Sequence, residues 1–148
     1  MRSPDELTQI FRSQGLKVTP QRQSIFRALH GSAVHPTAEA VYEVVSTQMP
    51  TISLRTVYQT LNDLADMGEI VALDVGTGSV RFDPHTGDHH HLVCERCGAV
   101  QDLEADFPDV MLPSGNGFGF EVSSTEIVFR GRCRDCVAST AGAGGDVT

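Results

Sequence analysis

Four cysteines, the only ones in the chain, form two Cys-x-x-Cys pairs: Cys94 with Cys97, and Cys133 with Cys136. In a reducing compartment such pairs hold a metal ion more often than they form disulfide bonds. Four thiolates with no open coordination position suit Zn²⁺ in a closed structural site. A redox Cys-x-x-Cys enzyme is the alternative, but it leaves the second pair unexplained. The spacing therefore predicts a structural zinc that ties the beginning of the C-terminal half to its end.

A second group of candidate ligands, rich in histidine, precedes the first cysteine pair. In an extended strand His89 and His91 share one face, whereas His90 lies on the other. Two imidazoles and a carboxylate suit a first-row transition metal that binds through nitrogen and oxygen. A surface histidine cluster without a ligand role is the alternative. The nearby carboxylates are those of Asp83, Asp88 and Asp102.

The composition of these 148 residues, 40% hydrophobic and 20% charged, is that of a folded globular protein. No apolar run is long enough to span a bilayer, and the N-terminus has no signal-peptide core, so we expect a cytoplasmic protein with no membrane partner. The net charge of −8 argues against a nucleic-acid partner. However, residues 1–80 carry only −2 and residues 81–148 carry −6. Most of the acidic excess therefore lies in the half that holds the candidate metal ligands.

Four helices are predicted in the first half, because each begins with a capping hydroxyl side chain. The caps are Ser3, Thr19, Thr37 and Ser53, and Gly15, Gly31 and Gly68 follow three of the helices. In the third helix, the apolar residues predict a buried side formed by Val41, Tyr42, Val44 and Val45.

The fourth helix, Leu54–Met67, has two distinct faces at a turn of about 100° per residue. One face is an apolar stripe that includes Val57, Leu61 and Leu64. Arginine can bind guanine, and glutamine or asparagine can bind adenine, so the other face suits the reading of DNA bases. A solvated surface helix is the alternative. The polar residues of this face are Arg55, Tyr58, Gln59 and Asn62.

Two short strands, 70–75 and 79–82, follow the fourth helix and predict a hairpin around Gly76-Thr77-Gly78. Helices followed by a hairpin are the order of a winged helix-turn-helix, in which a late helix enters the major groove. After Asp83 the sequence becomes rich in histidine, cysteine and glycine. Strands are predicted at 89–94, 99–103 and 120–129, the last with a break at Ser123-Ser124, and prolines leave room for only a short helix between the last two.

From about residue 5 to 137 the sequence resembles the ferric-uptake-regulator family of metal-dependent bacterial repressors. The order and spacing of several short strings carry this resemblance, although each string alone is weak. The matching strings are Val18-Thr19-Pro20-Gln21-Arg22, His35-Pro36-Thr37-Ala38, Thr56-Val57-Tyr58-Gln59-Thr60-Leu61, Arg81-Phe82-Asp83, His89-His90-His91-Leu92-Val93-Cys94 and Gly131-Arg132-Cys133.

The resemblance implies an α+β protein with a winged-helix DNA-binding domain over residues 1–82 and a small α/β metal-binding dimerisation domain over 83–137. The Gly/Ala/Ser-rich tail, 138–148, is expected to be disordered. The resemblance also implies a homodimer on a palindromic operator in double-stranded DNA, with no enzymatic activity and no small organic substrate.

The resemblance further implies a regulatory Fe(II) or Mn(II) between the two domains. Its implied ligands are His35, Asp83, His89, His91 and Asp102. Lys17, Arg22, Tyr58 and Gln59 look like the DNA contacts of the family, and the helical arc adds Arg55 and Asn62.

Departures from the family pattern indicate which signal is sensed. Asp102 stands where iron-uptake and zinc-uptake members usually carry glutamate, and aspartate there resembles the peroxide-sensing branch. In that branch peroxide oxidises a ligand histidine, for which His35 and His89 are the candidates. Residues 122–129 contain no histidine, so a further metal site common in relatives is expected to be absent or weakened. The Asp106–Gly119 stretch departs from a helix common in relatives, which puts the dimer contact there in question.

Two other functions are compatible with these residues. A repressor of the same fold can sense the abundance of iron, zinc, manganese or nickel without oxidation chemistry. An enzyme can use His89, His91 and a carboxylate as a catalytic metal site. The enzyme needs an open coordination position and a general base, and the sequence shows no such base.

Overall fold

The computed structural model describes residues 1–113 and 119–141 and divides the chain into two compact units. Unit 1 spans Met1–Thr86, and unit 2 begins at Gly87. The division therefore lies beyond the predicted boundary at Phe82, and it assigns Asp83 to unit 1. The α+β fold class predicted from the sequence is confirmed.

Unit 1 begins with four helices, all close to their predicted positions. Ser3 and Glu6 form a capping box, in which the Ser3 hydroxyl accepts from the Glu6 N–H at 3.3 Å and the Glu6 carboxylate accepts from the Ser3 N–H at 2.9 Å. Gly15 and Gly68 have φ of 73°, the left-handed conformation that lets the chain leave a helix. The helices are α1 (Pro4–Ser13), α2 (Pro20–Leu29), α3 (Ala38–Gln48) and α4 (Leu54–Asp66).

The core of unit 1 lies between these helices, where α4 contributes Val57, Leu61 and Leu64, all fully buried. The predicted buried side of α3 is wrong at Val44, which is 58% exposed. The buried face of α3 is centred on Val41 and Val45, and Val44 falls at its solvent edge because the helix turns about 100° per residue.

A short antiparallel hairpin follows, made of β1 (Val71–Leu73) and β2 (Arg81–Asp83). The strands are shorter than predicted, and the connection between them is correspondingly longer. The Phe82 N–H donates to the carbonyl of Pro36 at 2.9 Å, and Thr37 forms an isolated antiparallel β-bridge with Arg81. This contact attaches β2 to the segment before α3 and so positions the residues on either side of it.

Unit 2 contains a three-stranded sheet in the order β4-β3-β5, with β3 (His90–Cys94) in the centre. β4 (Val100–Leu103) pairs with it antiparallel, and β5 (Val128–Gly131) pairs with it parallel. The strand predicted at 120–129 was placed too early. β5 pairs with β3 from His91 onward, so Val128 is the first residue of the predicted segment with a strand partner. Residues 120–127 of that segment form no strand.

The C-terminal part of unit 2 forms a helix that the sequence reasoning missed, α5 (Arg134–Ala141). The disorder predicted from residue 138 onward is therefore wrong for residues 138–141. Residues 142–148 lie outside the described residues. Arg96 holds this helix by donating to the Cys136 carbonyl at 3.2 Å and to the Ser139 hydroxyl at 3.1 Å. Residues 104–113 form no helix, and 114–118 are not described. Within the described chain, no helix has the length and apolarity needed to cross a membrane.

Candidate metal centres and DNA-binding surface

The four cysteines come together in unit 2, with all four sulfur atoms within 4.8 Å of one another. Cys94 ends β3, and the parallel register pairs it with Gly131 at the end of β5. Both Cys-x-x-Cys pairs therefore start at the same end of the sheet. The Sγ atoms of Cys97 and Cys133 are 3.7 Å apart. Four converging sulfur donors fit the predicted closed zinc site.

Hydrogen bonds distinguish the thiols of this group. The backbone N–H groups of Cys133 and Cys97 lie 3.4 and 3.5 Å from Cys94 Sγ and lower the pKa of that thiol to about 6. Hydrogen bonding to the Cys133 thiol, together with burial, raises the pKa of Cys136 to about 12. The Cys94 and Cys136 thiols therefore do not ionise over the same pH range, and a bound divalent cation would favour the thiolate form of both.

Unit 1 contributes one buried histidine–carboxylate pair, His35 with Asp83, whose Nε2 and Oδ2 atoms lie 3.1 Å apart. Arg81 fixes the first residue by donating to the His35 carbonyl at 3.0 Å. The His85 N–H fixes the second by donating to Asp83 Oδ1 at 2.8 Å. Only the family resemblance had nominated His35, because the backbone contact that places it beside Asp83 has no local sequence signal.

Unit 2 contributes a second group, in which the Asp102 carboxylate faces two imidazoles. Asp102 Oδ1 lies 3.1 Å from His89 Nε2 and 3.5 Å from His91 Nε2. The antiparallel register places Asp102 directly opposite His91. Asp88, the third carboxylate considered from the sequence, is exposed and is not part of this group. Two nitrogen donors and one carboxylate fit a first-row metal such as Fe(II) or Mn(II).

The remaining ring nitrogens of these histidines face other partners. His89 Nδ1 is 2.6 Å from the Gly87 carbonyl oxygen. His91 Nδ1 is 2.8 Å from the Glu126 carboxylate. Sequence reasoning did not identify Glu126, because it lies in a coil segment and follows no recognised motif. Both imidazoles are thus held so that Nε2 is directed toward Asp102.

The polar face of α4 is exposed at all four positions predicted to contact DNA, Arg55, Tyr58, Gln59 and Asn62. Lys17, before α2, is exposed as well. The Tyr58 hydroxyl donates to Glu39 Oε1 at 2.6 Å, which lowers the pKa of Glu39 and raises that of Tyr58.

Arg22, the remaining predicted DNA contact, has partners within unit 1. Its side chain is only 11% exposed, and Nη2 lies 2.9 Å from Asp63 Oδ2 of α4. The guanidinium also lies 5.3 Å from the centre of the Phe11 ring. Both partners belong to other helices of unit 1, so Arg22 links α2 to α1 and α4, and its contact with DNA stays a prediction.

Replacement of Arg22 by alanine is expected to lower the free energy of unfolding by about 2 kcal/mol. The change removes a charge-assisted hydrogen bond and leaves the partly buried Asp63 carboxylate without this partner. Urea denaturation of the full chain measures this loss. Lys17→Ala is the matched control, since it removes an exposed cation and is expected to change stability by less than about 0.5 kcal/mol. Equal stability of the two variants would contradict a structural role for Arg22.

Residues 13–129 match the model of the ferric uptake regulator family. The chain belongs to this family. Members of the ferric uptake regulator family are transcriptional regulators that bind DNA as dimers. The family match covers both units and includes all five of the histidine and carboxylate ligands implied by the resemblance.

A peroxide-responsive repressor of Staphylococcus saprophyticus is 35% identical to this family member over 133 residues, which cover 89% of each chain. The structure of the ferric uptake regulator of Helicobacter pylori is 22% identical, covers 90% of each chain and superposes with a TM-score of 0.74, which shows a shared fold. The peroxide-sensing regulator of Streptococcus pyogenes is 27% identical, covers 92% of this chain and 94% of its own, and has a TM-score of 0.53.

Proposed function

We propose that this ferric uptake regulator is a metal-dependent DNA-binding transcriptional repressor that senses peroxide through a regulatory Fe(II) or Mn(II) site. The observation that carries the proposal is the Asp102 carboxylate, which faces the Nε2 atoms of both His89 and His91. Aspartate at this position resembles the peroxide-sensing branch, and the similarity to a peroxide-responsive repressor supports the same reading.

The regulatory ion is proposed to take ligands from both units. Unit 1 offers two donors, His35 and Asp83, and unit 2 offers three. Fe(II) and Mn(II) accept nitrogen and oxygen donors in larger numbers than either group provides. An ion bound to all five residues favours one arrangement of the units over others, so metal binding shifts the population toward that arrangement. A 100-fold higher affinity of the ion for that arrangement corresponds to about 2.7 kcal/mol.

The favoured arrangement is proposed to bind DNA as a homodimer. Two copies of α4 would lie about one helical turn of DNA apart, or a multiple of it, on a palindromic operator. Arg55, Gln59 and Asn62 are proposed to reach base edges, with Tyr58 beside them. Lys17 is proposed to bind the phosphate backbone. Arg22, which is also predicted to contact DNA, binds Asp63 of α4 in the absence of DNA.

When bound, Fe(II) would activate hydrogen peroxide for cleavage of its O–O bond. The chain supplies the positioned imidazoles of His35 and His89. Either ring would gain one peroxide oxygen and give up two electrons, and the other oxygen would leave as water. An oxidised imidazole is a poorer ligand, so the preference for the DNA-binding arrangement is lost. The structural zinc has no part in this step, since four thiolates leave it no open position.

Peroxide sensing is tested by anaerobic binding to an operator selected from random DNA in the presence of Mn(II). Both Fe(II) and Mn(II) are expected to support binding, because both suit the same donors. Hydrogen peroxide is expected to release the Fe(II) protein from DNA and to leave the Mn(II) protein bound. Peptide mass spectrometry is expected to find one added oxygen atom on a peptide containing His35 or His89.

Two outcomes would replace this proposal. Metal-dependent binding that is unchanged by peroxide with either ion would identify a sensor of metal abundance with the same fold. Equal DNA binding with and without metal would remove the regulatory site from the mechanism altogether.

A further inference from the structure

His91 is held between two carboxylates that lie on different ring nitrogens. Asp102 lies 3.5 Å from Nε2, and Glu126 lies 2.8 Å from Nδ1. The His91 side chain is 3% exposed, whereas that of Glu126 is 48% exposed. The Glu126 carboxylate therefore contacts a buried imidazole from the solvent side.

The backbone beside Glu126 is fixed to β3 by two hydrogen bonds. The Ile127 carbonyl accepts from the His91 N–H at 3.0 Å, and the Ile127 N–H donates to His90 Nδ1 at 3.1 Å. Because both bonds join the residue after Glu126 to β3, the carboxylate is placed at His91 by the fold of unit 2. His89 differs, since its Nδ1 faces the carbonyl of Gly87, two residues before it.

A carboxylate only accepts hydrogen bonds, so a neutral His91 bonded to Glu126 carries its proton on Nδ1. Its Nε2 then presents a lone pair. The two nitrogens of an imidazole point in different directions, so an ion at Nε2 is out of reach of a carboxylate held at Nδ1. Glu126 is therefore placed to orient a ligand, and it is not itself placed as a ligand of the same ion.

We propose that Glu126 is a positioning residue for the regulatory metal: it selects the His91 tautomer that binds through Nε2 and makes that imidazole a stronger donor. This inference rests on the proposed function, because it assumes that His91 is a metal ligand. A carboxylate on the non-ligating nitrogen of a histidine typically changes metal affinity by about 10- to 100-fold. Of the two unit 2 imidazoles that face Asp102, Glu126 contacts that of His91, whereas the backbone carbonyl of Gly87 contacts that of His89.

The test uses the full-length, zinc-loaded protein with Glu126→Ala and Glu126→Gln. The Kd for Mn(II) is measured by competition with a fluorescent chelator. Glu126→Ala is expected to weaken Mn(II) binding by about 10- to 100-fold. Glu126→Gln is expected to lie between this variant and the wild type, because its amide oxygen still accepts from Nδ1 but carries no charge. Glu121→Ala, which removes an exposed carboxylate from the same segment, is expected to bind Mn(II) normally.

A second readout follows the imidazole itself in protein that carries zinc but no Mn(II). The ¹⁵N chemical shifts of His91 are expected to report the Nδ1–H tautomer in the wild type and a mixture of tautomers in Glu126→Ala. A residue that only stabilised the fold would not change the tautomer at unaltered zinc content and unfolding midpoint.

The outcomes separate this inference from the proposed function. Wild-type affinity for Mn(II) in Glu126→Ala, or an unchanged His91 tautomer, would overturn the positioning role. A wild-type protein that binds no Mn(II) would overturn the proposed regulatory site, and the tautomer measurement would still decide whether Glu126 orients His91.

Discussion

In the Cys97→Ser variant, we expect the purified protein to contain no zinc and unit 2 to be unfolded, while unit 1 remains folded. Cys97 is exposed, so serine there removes a sulfur donor at little cost in packing. Structural zinc supplies folding free energy of order 10 kcal/mol in small domains. Unit 2 has little to replace it, because among the residues described its buried hydrophobic side chains are Val93, Cys94 and Cys136.

Unit 1 is expected to survive this change because it has a core of its own. Its fully buried side chains include Phe11 and Phe26, whose ring centroids are 4.9 Å apart, together with the apolar face of α4. The loss of zinc therefore removes the main stabilising element of one unit and none of the other.

Zinc content from native mass spectrometry and the dispersion of amide resonances in each unit measure this result. Glu95→Gln is the matched control, since it lies within the same Cys-x-x-Cys turn and removes an exposed carboxylate. It is expected to retain zinc and both sets of dispersed resonances. A Cys97→Ser protein that lacks zinc and still shows a folded unit 2 would contradict a structural role for the metal.

His35→Ala is expected to lower operator affinity at saturating Mn(II) by about 100-fold, or about 2.7 kcal/mol, to the level of the metal-free protein. His35 is the histidine that unit 1 contributes to the proposed ligand set. Its loss leaves Asp83 and the donors of unit 2 with a weaker preference for one arrangement of the units. Zinc content is expected to be unchanged, because the cysteines lie in unit 2.

Fluorescence anisotropy of labelled operator, with and without Mn(II), measures the effect. His30→Ala is the control, since it removes an exposed histidine from the same unit. Asp83→Asn is a second test, because it keeps the shape of the side chain and weakens a different ligand in unit 1. It is expected to reproduce the loss even if alanine at the buried His35 destabilises the core. Metal-dependent operator binding by folded His35→Ala and Asp83→Asn proteins would show that unit 1 contributes no ligand.

Local patterns in the sequence were sufficient to predict the helices of unit 1 and the cysteine pairs of unit 2. Helix caps such as Ser3 and Ser53, the two faces of α4 and the cysteine pairs are determined by spacings of two to four residues. These signals follow from helix geometry, backbone hydrogen bonding and thiolate chemistry, which act within a turn or two. The grouping of His89 with His91 followed in the same way from the period of an extended strand.

Tertiary structure decided the features that depend on distant residues. Arg22 was predicted only as a DNA contact, and the packing of α4 brings Asp63, 41 positions away, to its guanidinium. The start of β5 depended on where β3 begins, and the place of His35 depended on a backbone contact with β2. Glu126 reaches His91 across 35 positions from a coil segment without periodicity. Spacing predicts which side chains share a face of one element, but only the packing of several elements determines which charge meets which imidazole.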